Sequence, residues 1–379
     1  MTAETALSNA RIVLANEIVE GSLVLRDGFI AGIDAGGSRS GEDMGGDYVI
    51  PGLVELHTDH LEGHYAPRPK VRWNPIAAVL AHDAQVATAG ITTVLDALRV
   101  GMDEDADLTL ADIRKLADAI EDSVAQDRLR ADHFLHLRCE VSAPDCLQAF
   151  ADFDRDDRVK LASLMDHAPG QRQFVNLETY AYYYQRKLKL TDRDFKLFCE
   201  KRMAESARYS APNRAVIAAA CRERGIVLAS HDDATSGHVD EAIEQGVRVA
   251  EFPTTEEAAR ASKAAGLGVL MGAPNVMRGA SHSGNVSARA LAGDGLLDIL
   301  SSDYIPFSLI QSAFFLGDMV EGISLPQAVA MVSKNPAEAV GLTDRGVIEQ
   351  GRRADLVRVR VDDHVPVVRT VWRQGRRVA

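Results

Sequence analysis

The chain has little of several things, and each shortage excludes something. Only four cysteines occur in 379 residues. Cys139, Cys146, Cys199 and Cys221 include no Cys-x-x-Cys pair, so they read as reduced thiols rather than a disulfide framework. Basic side chains are outnumbered, 42 Lys and Arg against 55 Asp and Glu, for a net charge of −13. That balance argues against a nucleic-acid or membrane-surface binder, which needs a basic face. A local basic cluster that grips a small anion is still allowed. No apolar run is long enough to span a bilayer, and Met1 to Glu4 open with no secretory pattern, so the expected compartment is the cytoplasm. There is no low-complexity tract and no short repeat. What remains, 46% apolar and 26% charged residues, is ordinary for a globular protein with a sizeable core.

Residues 7–48 hold short apolar runs separated by Gly, Asn and Asp turn signals, and read as β-structure. From residue 50 strands and helices alternate. Eight strands are expected at 52–57, 91–96, 133–141, 158–165, 226–231, 247–252, 267–273 and 297–302. Helices are expected at 75–89, 107–127, 192–206, 212–224, 238–245 and 255–265, with a last pair at 308–322 and 325–333. Repeated βα units over this length predict a (β/α)₈ TIM-type barrel. An open doubly wound sheet would want a Gly-x-Gly-x-x-Gly turn after its first strand, and none follows residue 57. β-character returns at 351–359 and 365–375, so the two termini are expected to pair into one small β-sandwich. The expected division is therefore 1–50 with 340–379 as a composite β-domain, and 51–339 as the barrel.

In such a barrel the reacting groups come from the C-terminal strand ends. Ligand-type side chains collect there: His57 and Asp59, Glu140, Asp166 and His167, His231 with Asp232 and Asp233, Glu251, and Asp303. His57 and Asp59, two apart on an extended strand, point the same way and suit a divalent ion such as zinc or manganese. Asp166 and Asp232 are equally readable as helix caps, and His136, mid-strand, as a satisfied core histidine.

The run Val49-Ile50-Pro51-Gly52-Leu53-Val54-Glu55-Leu56-His57-Thr58-Asp59 and the closing Gly346-x-Ile348-x-x-Gly351-x-x-Ala354-Asp355-Leu356-Val357 resemble the amidohydrolase superfamily. The resemblance covers nearly the whole chain. Four blocks, 67–73, 81–85, 166–174 and 272–285, look like its phosphonate-metabolism branch. The resemblance implies one or two divalent metals in a (β/α)₈ barrel. It casts His57 and Asp59 as ligands of one metal, Glu140 as a bridging carboxylate and His231 as a ligand of the second. His167 takes the place of the usual strand-six histidine, with Glu251 as its fallback, and Asp303 takes the proton of the attacking water. Asp59 departs from the His-x-His that most members carry. The implied reaction is hydrolysis of a ribosyl 5-triphosphate to the 5-phosphate and pyrophosphate.

Such a small phosphorylated substrate needs cationic partners, and arginine's planar fork suits phosphate. Arg68, Lys70 and Arg72 follow strand one, Arg172 follows strand four, and Arg278 with His282 follows strand seven. His60, Glu62 and His64 have no assigned role; His60 and His64, four apart, can share a helical face and are expected to support the site or touch substrate. Three rivals stay open: a hydrolase of an amide or cyclic imide, an inactive homologue serving as scaffold, and a nucleoside-triphosphate pyrophosphatase. The residues leave open whether the chain forms a homo-oligomer.

Overall fold

The computed structural model describes residues 4–36, 40–102, 108–172, 180–185, 188–281 and 284–379, without the side chains of 182 and 183. His282, expected at the phosphate, lies outside them.

Five strands precede the barrel: β1 (Glu4–Val13), β2 (Ile18–Arg26), β3 (Phe29–Asp34), β4 (Glu42–Asp43) and β5 (Tyr48–Pro51). The barrel is built from β6 (Leu53–Thr58), β7 (Ile91–Val100), β8 (Asp132–Glu140), β9 (Val159–Met165), β10 (Val227–His231), β11 (Val249–Glu251), β12 (Gly268–Gly272) and β13 (Ile299–Ser301). All eight fall where the apolar runs place them. Neighbours pair in chain order, parallel throughout. The ring closes between β6 and β13 through a parallel bridge of Thr58 with Asp303, whose N–H donates to the His57 carbonyl at 3.1 Å. Glu55 reinforces the seam by accepting from the His57 and Ser302 N–H groups, both at 2.6 Å. Burial pushes its carboxyl up to about 8, against the pull of those hydrogen bonds.

Strand alternation sorts the side chains. Leu95, Leu161, Ala229, Val249, Leu270 and Ile299 form an apolar floor inside the barrel, with Ala337 and Val340 packed against it. Outward-facing Leu98, Leu137, Leu164 and Leu228 pack against the helices through Ile113, Leu116, Ile120 and Ile217. One helical expectation is corrected. The segments 192–206 and 212–224 are a single helix, Asp192–Arg224, that runs through Pro212. Its buried face continues across the proline, from Phe198, Arg202 and Ser206 to Asn213, Arg214 and Ile217, while Ala211 and Pro212 face solvent. Packing on both sides holds the helix together despite the lost hydrogen bond.

The termini meet as expected. β14 (Leu356–Asp362), β15 (Val365–Arg373) and β16 (Arg376–Arg377) join the N-terminal strands in the order β16-β15-β14-β5-β1-β2-β3, with β4 on β1. The hydrogen bonding is continuous, and a bridge between Phe29 and Arg353 brings the two arms of this sheet together around Leu23, Leu25, Ile30, Leu356 and Trp372. β5 passes into β6 through Gly52. A Cβ there would lie 2.7 Å from Thr92 Cγ2 and 3.0 Å from Asp355 Cβ, so only glycine fits between sheet and barrel.

Candidate metal centre and active site

Three imidazoles gather at the C-terminal mouth, each held through Nδ1 by a buried carboxylate. Glu251, ending β11, accepts from His57 Nδ1 at 2.7 Å through one oxygen and from His231 Nδ1 at 2.7 Å through the other. Glu140, ending β8, accepts from His167 Nδ1 at 2.6 Å and from the His167 N–H at 3.1 Å. An Nδ1–H committed to a carboxylate puts the ring's lone pair on Nε2, the state a metal ligand needs. Burial alone would raise both carboxyls. For Glu251 the facing His57 and His136, and for Glu140 His167 with Arg99 and Arg202, hold them well below the usual range instead.

The His57 and His231 rings stack at 5.8 Å between centroids, and His167 meets His231 edge-on at 5.6 Å. Asp232, just past β10, completes the group. Its Oδ2 lies 3.4 Å from His231 Nε2 and 3.8 Å from His167 Nε2, and it is buried with no hydrogen-bond partner. A buried carboxylate oxygen left unpaired beside two imidazole nitrogens is costly unless a cation sits there. His167, His231 and Asp232 thus fit a divalent ion, and their ligand atoms lie within 4.8 Å of one another. Asp232 has φ of 57°, which turns it out of the strand direction.

A second trio, His57, His136 and Glu251, is equally compact. His136 is spent, however: one nitrogen meets the Leu56 carbonyl and the other Ser163 Oγ, each at 2.9 Å. Burial pushes its pKa down to about 3. It is the satisfied core histidine expected mid-strand. A third trio, His82, Asp96 and His133, lies outside the barrel mouth and is closed by its own hydrogen bonds, with His82 Nε2 and His133 Nδ1 on Asp96 at 2.8 Å each.

The remaining expected residues divide. β6 ends at Thr58, so Asp59 no longer alternates with His57; it turns to Arg138, 3.2 Å away. Glu140 anchors His167 rather than standing free between two ions. Asp303 sits at the barrel seam beside the His57 backbone, with Gly272 leaving room for its Oδ2. Arg172 is buried and pairs with Asp233 and, at 2.5 Å, with Glu241. Arg68 and Arg278 are exposed, and Arg72 lies 3.6 Å from Asp112. Two inward-facing arginines that the loop-centred reading passed over, Arg99 on β7 and Arg138 on β8, stand next to Glu140 and Asp59 instead. Their position in strands was the signal: a basic residue near the end of a barrel strand points at the mouth.

The sequence profile of the Amidohydrolase family matches residues 84–379. The chain belongs to the amidohydrolase family. It is 50% identical over 376 residues to alpha-D-ribose 1-methylphosphonate 5-triphosphate diphosphatase of Escherichia coli, covering 98% of this chain and 99% of that one. Among solved structures, N-acetyl-D-glucosamine-6-phosphate deacetylase from Mycobacterium smegmatis superposes with TM-score 0.65 at 17% identity, covering 99% of both chains. 5-Methylcytosine deaminase from Klebsiella pneumoniae does so with TM-score 0.65 at 15% identity, covering 99% of this chain and 98% of that one. Those two likenesses support the fold alone. Among the described residues no helix is long and apolar enough to cross a membrane.

Proposed function

We propose that this amidohydrolase is a metal-dependent diphosphatase of phosphonate catabolism. Its substrate is α-D-ribose 1-methylphosphonate 5-triphosphate or a close alkylphosphonate analogue, cleaved to the 5-phosphate and pyrophosphate in the cytoplasm. The likeness to the Escherichia coli diphosphatase supports the substrate. The observation that carries the chemistry is the unpaired Asp232 oxygen beside the Nε2 atoms of His167 and His231.

His167, His231 and Asp232 would hold a divalent ion, zinc or manganese, with His57 facing the same space. Such ions supply Lewis-acid charge and water activated at neutral pH. Glu251 and Glu140 fix the three rings so that binding costs no reorientation. Asp303, beside His57 at the seam, accepts the proton released by the attacking water. Residues 51–339 are the catalytic unit, and the terminal sheet clamps its first strand.

The test is direct: load the protein with Mn²⁺ or Zn²⁺, supply the ribosyl triphosphate and measure pyrophosphate. Release is expected, faster than from ATP. No release with intact metal content would end this reading, and ammonia or acetate freed from amide substrates would replace it with C–N hydrolysis.

A further inference from the structure

We propose that Arg99 and Arg138 form the subsite for the polyphosphate chain of the substrate, with Asp59 occupying it when substrate is absent. The identity of the anion rests on the diphosphatase reading; the existence of the subsite rests on the geometry.

Arg99 and Arg138 are register partners on adjacent parallel strands. In-register neighbours stand about 4.8 Å apart and share a face. Which face follows from alternation. Phe134 packs against the apolar floor and His136 against His57, so Arg138 and then Glu140 continue the inward row of β8. Leu95, Ala97 and Arg99 form the matching row of β7. Two guanidinium groups therefore sit side by side at the mouth, about one layer above His136.

Like charges so close need an anion between them. Three carboxylates reach the pair. Arg99 lies 3.6 Å from Glu140, the anchor of His167, which sets it within one side chain of the metal ligands. Arg138 Nη1 meets Asp59 at 3.2 Å. Glu62 feels the charges of both arginines and of Asp59, accepts from the Arg99 backbone N–H, and is buried enough that its carboxyl rises to about 7, first through burial and in part through the Asp59 charge.

The pairing is incomplete. Arg138 Nε and Glu62 Oε1 are both buried without a hydrogen-bond partner. An arriving phosphate therefore meets two guanidinium forks, with the Arg138 Nε–H still to be satisfied. The Arg99 and Arg138 side chains are 21% and 18% exposed, open to a ligand yet shielded enough for charge to count. None of the arginines expected at the phosphate combines these features: Arg172 is consumed by Asp233 and Glu241, Arg72 faces Asp112, and Arg68 and Arg278 stand in solvent.

Inorganic tripolyphosphate, titrated calorimetrically into the metal-free full chain, tests this without turnover. Arg99→Ala and Arg138→Ala should each weaken its Kd at least tenfold, Arg138→Lys should recover part of the loss, and the surface control Arg260→Ala should change nothing. Should an alanine variant fail to fold, Asp59→Asn keeps the test alive, since removing the competing carboxylate should tighten tripolyphosphate severalfold. No binding by the unaltered protein, a Kd within twofold of it in both folded alanine variants, or weaker binding in Asp59→Asn would overturn the subsite. Arginine-dependent tripolyphosphate binding without pyrophosphate release from the ribosyl triphosphate would leave the subsite standing and sink the diphosphatase reading instead.

Discussion

Replacing Glu251 by glutamine removes one oxygen and almost no volume, and it should cripple metal binding. The carboxylate uses one oxygen for His57 Nδ1 and the other for His231 Nδ1, both at 2.7 Å. Glutamine offers one acceptor and one NH₂ donor. One ring keeps its partner; the other meets an N–H, and must either flip its tautomer, moving the proton onto the metal-facing nitrogen, or rotate away. Losing such an outer partner typically costs 10- to 100-fold in metal affinity, roughly 1.4–2.7 kcal/mol. Chelator competition on the folded variant reads this directly, and pyrophosphate release at saturating metal should recover much of the lost rate. Glu140→Gln is the internal comparison, since it disturbs only His167 among the three rings. A metal affinity within twofold of the parent in folded Glu251→Gln would refute the anchoring role. Loss of one whole ion per chain, irreversible with added metal, would make Glu251 a direct ligand.

Three further outcomes concern groups that are not themselves metal ligands. His133 stands between Asp96 and Asp83; burial alone would lower its pKa, but the two carboxylates raise it to about 10. A raised folded value gives stability that is complete below the unfolded pKa of about 6.5 and is lost as pH climbs toward 10, so the urea midpoint should fall across that window. His133→Asn should flatten that slope, and an unchanged slope would contradict the assignment. Arg172→Ala strands the buried Asp233, and urea unfolding should register a loss of about 3 kcal/mol, less than a wholly buried pair because Glu241 is 40% exposed. Gly52→Ala should cost about 1–3 kcal/mol by driving a methyl group into Thr92 and Asp355, read as a lower urea midpoint with an unchanged m-value.

The barrel was legible because its strands are buried on both faces and read as unbroken apolar runs between turn signals, which a parallel sheet requires. Its strand ends were legible for a similar reason: His57, Glu140, His231 and Glu251 interrupt those runs with groups that do not belong in a core. What spacing did not carry is direction after a strand stops. Asp59 and Asp232 look alike as residues just past a histidine. One begins a helix and turns to Arg138; the other adopts a left-handed conformation and joins the imidazoles. Arg172, on a connecting loop, looked free to grip a phosphate, but its loop folds it back onto Asp233 and Glu241, acids distant in sequence. Division of labour among carboxylates was equally hidden. Whether Glu251 binds an ion or orients two histidines depends on which nitrogen it reaches, and one-dimensional pattern says nothing of that.

The place of β5 has a consequence for how the chain is made. It lies between β1, synthesised before it, and β14, which leaves the ribosome some 300 residues later. Throughout elongation one edge of β5 has no partner, and β5 runs through Gly52 directly into the strand that carries His57. An unpaired edge of that kind is exposed to wrong pairing while it waits. The finished barrel is therefore latched from outside by the last strands to emerge. A nascent chain cut short before Leu356 would contain every metal-ligand side chain yet lack the clasp that holds their first strand in register.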